Sequence, residues 1–226
     1  MTDFHIILHD GSSLREQGFS CSSALRYASL AGLRFAGLVL PSDGSNFSRL
    51  AELSKQVRRL SLYANVEAWA GVELSHIPPA LLPDAVMEAR EAGAALVLVH
   101  GESIMDQVEE GTNFAAISAG ADIVTHPGLI DAEAAVFAAE KGVALEFTSC
   151  PRHAFANAHT AAMALRHGAP LVRGSAARCA EELTTRALWP MIVRGTESAV
   201  SPENESYLFD LLRQSEERLI RKLMGR

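Results

Sequence analysis

Histidines and a glutamate stand where short apolar runs of the sequence end. His5 lies in the first such run, Glu73 ends the third, His100 ends the fourth and His126 follows the fifth. In parallel α/β folds the carboxyl ends of the strands gather at one rim, so we expect these side chains to converge. Two imidazoles and a carboxylate are a ligand set that a catalytic zinc accepts. The pattern predicts a metal site, although a single strand-end histidine is commonly just a hydrogen-bonded residue.

A second group of polar residues follows the sixth apolar run. Arg152, His153, Asn157 and His159 lie close together in the sequence. Their side chains could donate hydrogen bonds to an anionic substrate. The alternative is a helix-capping turn that begins at Asn157. The residues leave both interpretations open.

The elements that must position these residues alternate along the chain. Short, continuously apolar runs predict strands buried on both faces, and Ala-rich segments of helical period lie between them. The predicted strands are Phe4–Leu8, Phe35–Leu40, Val66–Val72, Ala95–Val99, Asp122–Thr125, Val143–Phe147 and Pro170–Arg173. The predicted helices are Ser22–Ala31, Phe47–Tyr63, Pro83–Ala92, Phe114–Ala119, Asp131–Lys141 and Asn157–Arg166. This alternation is typical of parallel βα units.

Glycines mark the expected ends of the helices. They stand at Gly32, Gly93, Gly120, Gly142 and Gly168. Such glycines fit either a closed barrel or an open doubly wound sheet. No GxGxxG follows the first run and no GxxxxGK[ST] occurs, so the nucleotide-binding open sheets lose their main support. The sequence therefore favours a barrel.

The pattern changes after about Gly195. Ser201-Pro202-Glu203 resembles a helix start with proline at the first helical position, and a charged amphipathic stretch continues to Met224. We expect a final helix that packs on the barrel or on a partner subunit. Its candidate contact residues are Leu208, Leu211, Leu212, Leu219 and Leu223.

Composition bounds the class of protein. The chain has 226 residues, of which 48% are hydrophobic and 21% charged, as expected for one globular domain. A net charge of −7 disfavours general nucleic-acid or membrane-surface binding. The longest apolar runs are far shorter than the roughly 20 residues that span a bilayer. Three cysteines without CxxC spacing, and no signal peptide, predict reduced thiols in the cytoplasm.

Five phrases of the sequence are distinctive. They read GVELSHIPP at 71–79, LVHGESI at 98–104, GTNFAAI at 111–117, THPGLI at 125–130 and LEFTSCPRHAFANAH at 145–159. In order and spacing they resemble the polymerase-and-histidinol-phosphatase (PHP) superfamily, especially its small histidinol-phosphate phosphatase domain-containing proteins. The resemblance implies an α/β fold, a distorted (β/α)7 TIM-like barrel over residues 1–200, followed by the C-terminal helix at 201–226. It also implies a rim that binds up to three divalent metals for phosphate-ester hydrolysis.

Several of the family's metal ligands are missing from this sequence. Asp3-Phe4-His5 matches the first motif, but the second histidine of that motif falls on Ile7, and His9 is a candidate replacement. Leu40 and Pro41 stand at the aspartate and histidine of the second motif.

The last motif of the family is also changed, with Ala176 for its aspartate and Arg178 for its histidine. The surviving ligands Glu73, His100 and His126 would hold one metal together. His5 remains from a neighbouring site. The resemblance thus implies about one divalent metal per chain, with zinc expected and manganese or iron as alternatives.

Roles for the remaining polar residues follow from this arrangement. His5, Glu102 and His153 are candidate acids or bases. Arg152, Asn157 and His159 are candidate substrate-binding residues, because their side chains could donate hydrogen bonds to an anion. Arg178 is a further candidate, because its guanidinium could replace the charge of a lost metal.

The predicted function is metal-dependent hydrolysis of a small phosphorylated or anionic substrate. The alternative is a non-catalytic PHP-like barrel that binds a small anion or a protein partner, because about half of the family's ligands are absent. Whether the chain acts as a homo-oligomer or with a separate protein partner stays open.

Overall fold

The structure is a computed structural model that describes residues 1–9, 18–200 and 205–225. Seven parallel strands follow one another in sequence order across a single sheet. They are β1 (Thr2–Ile7), β2 (Phe35–Ser42), β3 (Glu67–Leu74), β4 (Leu96–His100), β5 (Ile123–Thr125), β6 (Ala144–Thr148) and β7 (Leu171–Gly174). The Ile7 N–H donates to the Ala177 carbonyl just after β7 at 2.8 Å, which nearly closes the sheet. The predicted TIM-like α/β barrel is confirmed.

Helices follow the strands as the sequence predicts. They are α1 (Cys21–Leu30), α2 (Leu50–Ala64), α3 (Leu82–Glu91), α4 (Thr112–Ser118), α5 (Ala132–Lys141), α6 (Asn157–His167), α7 (Trp189–Val200) and α8 (Glu205–Met224). The five glycines expected at helix ends all have positive φ, between 67° and 102°. No helix in the described ranges is long and apolar enough to cross a membrane.

Helix α7 is absent from the sequence-based prediction. It contains Pro190 and Gly195, two residues that normally argue against a helix interior. Pro190 is the second residue of the helix, where its missing N–H costs nothing because the first turn has no internal acceptors.

Side chains on the strands alternate between two cores. On β4, Val97 and Val99 face the surrounding helices, whereas Leu96 and Leu98 face the barrel interior. The strands place these residues in the interior core: Phe4, Ile7, Val39, Trp69, Leu96, Leu98, Ile123, Ala144 and Val172. Among the described helices, α8 adds Leu219 and Leu223 to this core. The last turns of α8 therefore cover one end of the barrel.

Helix α8 is anchored by leucines and by ion pairs. Leu208 and Leu212 are each 1% exposed. Arg173 of β7 binds Glu216 through two side-chain hydrogen bonds of 2.7 and 2.6 Å. Lys222 lies 2.8 Å from a carboxylate oxygen of Asp122, just before β5. These residues pack α8 on its own barrel. The expected helix start at 201–203 lies outside the described residues, and the division at residue 200 stays a prediction.

Candidate metal centre

The inward-facing positions of the strands change from apolar to polar at their carboxyl ends. On β4, Leu98 faces the apolar interior and His100 stands two residues later. The same step separates Ala144 from Glu146 on β6, and it places Glu73 near the end of β3. A charged layer therefore covers the interior core at this rim.

Glu73 joins three strands through its carboxylate. Its Oε2 lies 3.1 Å from Nε2 of His5, and its Oε1 lies 3.3 Å from Nδ1 of His100. The Thr125 hydroxyl on β5 donates to Oε1 at 2.8 Å. Glu73 is only 4% exposed, so it is a buried charge that needs these partners.

Glu146 holds the other side of the group. Its Oε1 lies 2.8 Å from Nδ1 of His5, and its Oε2 lies 2.8 Å from Nδ1 of His126. The His126 backbone N–H also donates to Oε2, at 3.2 Å. A Cβ added at Gly174 would overlap the Glu146 carboxylate, so only glycine fits there.

Glu146 lies within the family phrase at 145–159, but its role at the site is not predicted from the sequence. A carboxylate at an inward position of an otherwise apolar strand, in Ala-Leu-Glu-Phe, is the signal that could have found it. Because burying an unpaired carboxylate costs much free energy, such a position indicates that the carboxylate has a cationic partner.

Electrostatics couple the carboxylates to the imidazoles. Burial alone would lower the pKa of His5, but Glu73 and Glu146 raise that pKa well above 6.5. Burial would raise the pKa of Glu73, yet His5 and His100 hold it well below its usual range. The pKa of Glu146 is lowered against burial by His126 and His5. Both carboxylates are therefore anions that require a positive partner.

His126 adopts an unusual backbone conformation. Its φ is +47°, a left-handed value that side chains other than glycine rarely take and that stores strain. The strained turn brings its ring against the His153 ring, with centroids 3.8 Å apart. Burial and the neighbouring His126 and His100 lower the pKa of His153 to about 4. His153 thus lies beside the group, and its predicted role as an acid or base stays a prediction.

Asp106 is a second residue at the site that the sequence pattern does not predict. Its carboxylate lies 3.2 Å from Nε2 of His100 and 3.6 Å from Nε2 of His153, and it pairs with Arg152. Burial would raise the pKa of Asp106, but His153 and Arg152 lower it. Asp106 lies on the loop after β4, where no periodic pattern marks a functional position.

The donor set fits a metal ion. His5, Glu73 and His126 each offer a ligand atom, and these atoms lie within 4.8 Å of one another. Nε2 of His5 and Nδ1 of His126 are buried and lack a hydrogen-bond partner among the described residues, since their carboxylate contacts have ion-pair distance without hydrogen-bond geometry. Two carboxylates would balance a divalent charge. The sequence predicts Glu73, His100 and His126 as the set that holds one metal. The structure instead groups His5 with Glu73 and His126, and His100 contacts Glu73 from outside this triplet.

Two of the predicted residues have local structural contacts instead. The Glu102 carboxylate accepts the Asn113 N–H of α4 at 2.8 Å. Asn157 pairs with the backbone of Thr148, accepting its N–H at 3.2 Å and donating to its carbonyl at 2.7 Å. These contacts fix the loops after β4 and β6, and the predicted catalytic and substrate roles stay predictions.

His159 and Arg178 also lie outside the charged group. Nε2 of His159 is 2.7 Å from the Ile130 carbonyl, and Arg178 is exposed, with its backbone N–H donating to Glu182 at 2.7 Å. His9 makes a backbone hydrogen bond to Phe19, and the loop that follows it lies outside the described residues. Roles for these residues in substrate or metal binding stay predictions.

Comparison with known proteins supports a family and a fold. No protein-family model matches the chain. An uncharacterized protein of Methanocaldococcus jannaschii, MJ1295, is 32% identical over 168 residues, which cover 73% of this chain and 74% of that protein. The chain belongs to the same family as MJ1295.

Solved structures show the same fold at low identity. Histidinol phosphate phosphatase of Lactococcus lactis, in complex with zinc, L-histidinol and phosphate, has a TM-score of 0.56 at 14% identity, covering 88% of this chain and 93% of that one. Adenine deaminase of Arthrobacter aurescens has a TM-score of 0.53 at 12% identity, covering 87% and 78%. At such identity the likeness establishes the barrel alone.

Proposed function

We propose that the chain is a metal-dependent hydrolase of the PHP type that acts on a small phosphate monoester with a reduced, one-cation site. The observation that carries the proposal is the buried group at the carboxyl rim, where Glu73 and Glu146 face the imidazoles of His5, His100 and His126. The family phrases in the sequence and the histidinol phosphate phosphatase fold support the choice of a phosphate ester.

We assign metal binding to one group of rim residues and substrate binding and proton transfer to another. His5, Glu73 and His126 would hold the cation. Glu146 would orient the His5 imidazole from behind, through the hydrogen bond to its Nδ1. When bound, a divalent ion such as zinc lowers the pKa of a coordinated water and polarises a phosphate oxygen.

The remaining rim residues would bind the substrate and move protons. Arg152 has a side chain that is 61% exposed and pairs with Asp106, which also contacts His100 and His153, so its guanidinium can reach a phosphate oxygen. Nδ1 of His153 is fixed by the Ser103 hydroxyl at 2.8 Å, which leaves Nε2 toward Asp106 and the mouth. This geometry makes His153 the candidate for proton transfer.

Phosphate release from simple monoesters tests the proposal. Wild-type protein incubated with zinc should release phosphate, and Glu73→Gln and His126→Ala should each lower the rate at least about 100-fold, because a metal ligand is lost. His167→Ala, at the end of α6, is the matched imidazole control and should keep the wild-type rate. Equal rates in all four proteins would mean that the released phosphate does not come from this site.

A non-catalytic barrel is the second candidate, favoured by the residues at the family's other ligand positions. Leu40 is 2% exposed and Ala176 is 5% exposed, and neither can bind a metal. This candidate predicts that the zinc-loaded protein binds methylphosphonate but releases no phosphate from any monoester. Turnover that depends on Glu73 would exclude it.

A further inference from the structure

Large apolar side chains are exposed on the loops that follow β4, β5 and β6, at the rim of the barrel that carries the site. Ile104 and Met105 follow β4 and are 50% and 45% exposed, Leu129 follows β5 and is 64% exposed, and Phe155 follows β6 and is 72% exposed. We call these four residues the apolar rim. Apolar surface at the entrance of a charged site costs free energy unless something covers it, and such patches mark binding sites.

Contacts between two loops hold one half of the apolar rim in place. Nη2 of Arg152, after β6, donates to the Met105 carbonyl, after β4, at 3.5 Å. The Ser103 hydroxyl lies 2.8 Å from Nδ1 of His153. The loop that carries Ile104 and Met105 is thus joined to the residues that we expect to bind phosphate and transfer protons.

The other half of the apolar rim is fixed by α6. Nε2 of His159 lies 2.7 Å from the carbonyl of Ile130, the residue next to Leu129. The Thr160 hydroxyl donates to the Gly128 carbonyl at 3.5 Å, on the other side of Leu129. Phe155 lies just before α6 in the chain. The loop that carries Leu129 is therefore tied to α6, the helix that Phe155 precedes.

We propose that the apolar rim binds the leaving group of the substrate, so that the substrate is a phosphate monoester with an apolar leaving group, such as an alkyl chain. This inference rests on the proposed function, because it assigns the phosphate to the charged floor. A charged floor below an apolar entrance matches a ligand with an anionic head and an apolar tail. A small ligand suits this site better than a macromolecule does. Its anionic head can reach the buried residues His5, Glu73 and His126, which the flat surface of a macromolecule cannot contact.

Binding of two phosphonates tests the inference directly. Ethylphosphonate and hexylphosphonate carry the same head and differ by four methylenes, each of which strengthens binding about fourfold when fully buried. Calorimetry on protein loaded with zinc should give at least about tenfold tighter binding for hexylphosphonate, because the apolar rim covers part of its chain.

Variants assign the preference to the apolar rim. Leu129→Ser/Phe155→Ser should weaken binding of hexylphosphonate far more than binding of ethylphosphonate, which reduces the hexyl-to-ethyl ratio to about two. Leu62→Ser/Tyr63→Ser is the matched control, since these residues on α2 are 80% and 86% exposed, and its ratio should equal that of the wild type. All four side chains are exposed, so each variant should fold, which thermal unfolding checks.

Equal affinities of the wild type for the two phosphonates would overturn the inference. So would a control variant that loses the preference as fully as the rim variant, or a rim variant that binds both phosphonates more weakly by the same factor. Hydrolysis of hexyl phosphate, measured separately, decides the hydrolase proposal. A hexyl preference without hydrolysis would defeat that proposal and keep the anionic ligand with an apolar tail.

Discussion

Two regions of the barrel bury carboxylates, and they neutralise them differently. Beneath α8, Glu216 pairs with Arg173, whose guanidinium keeps its charge at any physiological pH. At the rim, Glu73 and Glu146 face imidazoles, which can give up a proton and bind a metal instead. The guanidinium of Arg173 can only form an ion pair, which is a structural contact. The imidazoles at the rim can exchange a proton for a metal ion, which a metal site requires. We therefore expect the rim carboxylates to serve metal binding and the pair beneath α8 to serve stability.

The largest expected effect comes from breaking the pair beneath α8. Arg173→Met leaves Glu216 buried without a cation, which should lower the free energy of unfolding by about 3–5 kcal/mol in urea titrations. The double variant Arg173→Met/Glu216→Leu should recover most of this loss, because no charge remains buried. Zinc content of the folded variants should equal that of the wild type. A loss below about 1 kcal/mol in Arg173→Met would remove the structural role of the pair.

At the rim, the corresponding change should act on metal binding. Glu146→Gln keeps the shape but removes the negative charge that faces His5 and His126, so zinc affinity should fall about 10–100-fold in a competition titration with a chelator. Glu217→Gln, on the exposed side of α8, is the matched control and should bind zinc as the wild type does. Unchanged affinity in Glu146→Gln would show that Glu146 does not support the metal.

Asp3 is an intermediate case, a buried carboxyl that accepts the backbone N–H groups of His5 and Ser175 at 3.1 Å each. Burial raises its pKa from 3.8 to about 6. Between these pH values the folded chain binds a proton that the unfolded chain releases, so this group destabilises the fold increasingly as pH rises through that window.

Asp3→Asn removes that titration but keeps an acceptor oxygen. The free energy of unfolding of the metal-free variant, relative to the metal-free wild type, should therefore increase by on the order of 2 kcal/mol between about pH 4 and pH 7. Urea titrations at several pH values measure this difference, in which the contributions of other groups largely cancel. A difference that is constant with pH would contradict a raised pKa for Asp3.

The smallest effect is expected at the end of α8. Lys222 is 44% exposed, and Asp122 keeps Arg90 at 3.1 Å when the lysine is lost. Lys222→Met should therefore cost no more than about 1 kcal/mol in urea titrations, and added salt should reduce this cost. If Lys222→Met lowered the free energy of unfolding as much as Arg173→Met does, the exposed Lys222–Asp122 pair would be as stabilising as the buried Arg173–Glu216 pair, which would contradict this expectation.

The sequence predicts most of the barrel because its elements are locally encoded. Continuous apolar runs mark the strands, and glycines such as Gly142 mark helix ends by their left-handed conformation. Helix α7 is missed because Pro190 and Gly195 are weak helix formers, and packing of Trp189 and Val193 in the core outweighs that preference.

The site is predictable to the extent that strand ends carry it. His5, Glu73, His100 and His126 converge because parallel strands deliver their last residues to one rim. Asp106 could not be found in this way, because it lies on a loop whose path depends on contacts with Arg152 and His153 from another loop. Such contacts between loops leave no periodic trace in the sequence.

Metal content tests the central claim most directly. Protein purified without chelators or an affinity metal, then dialysed against zinc and analysed by element-resolved mass spectrometry, should contain about one zinc per chain. His126→Ala should contain almost none, whereas His167→Ala should match the wild type. Wild-type protein with less than about 0.2 zinc per chain, or equal zinc in all three proteins, would contradict a metal centre built on His5, Glu73 and His126.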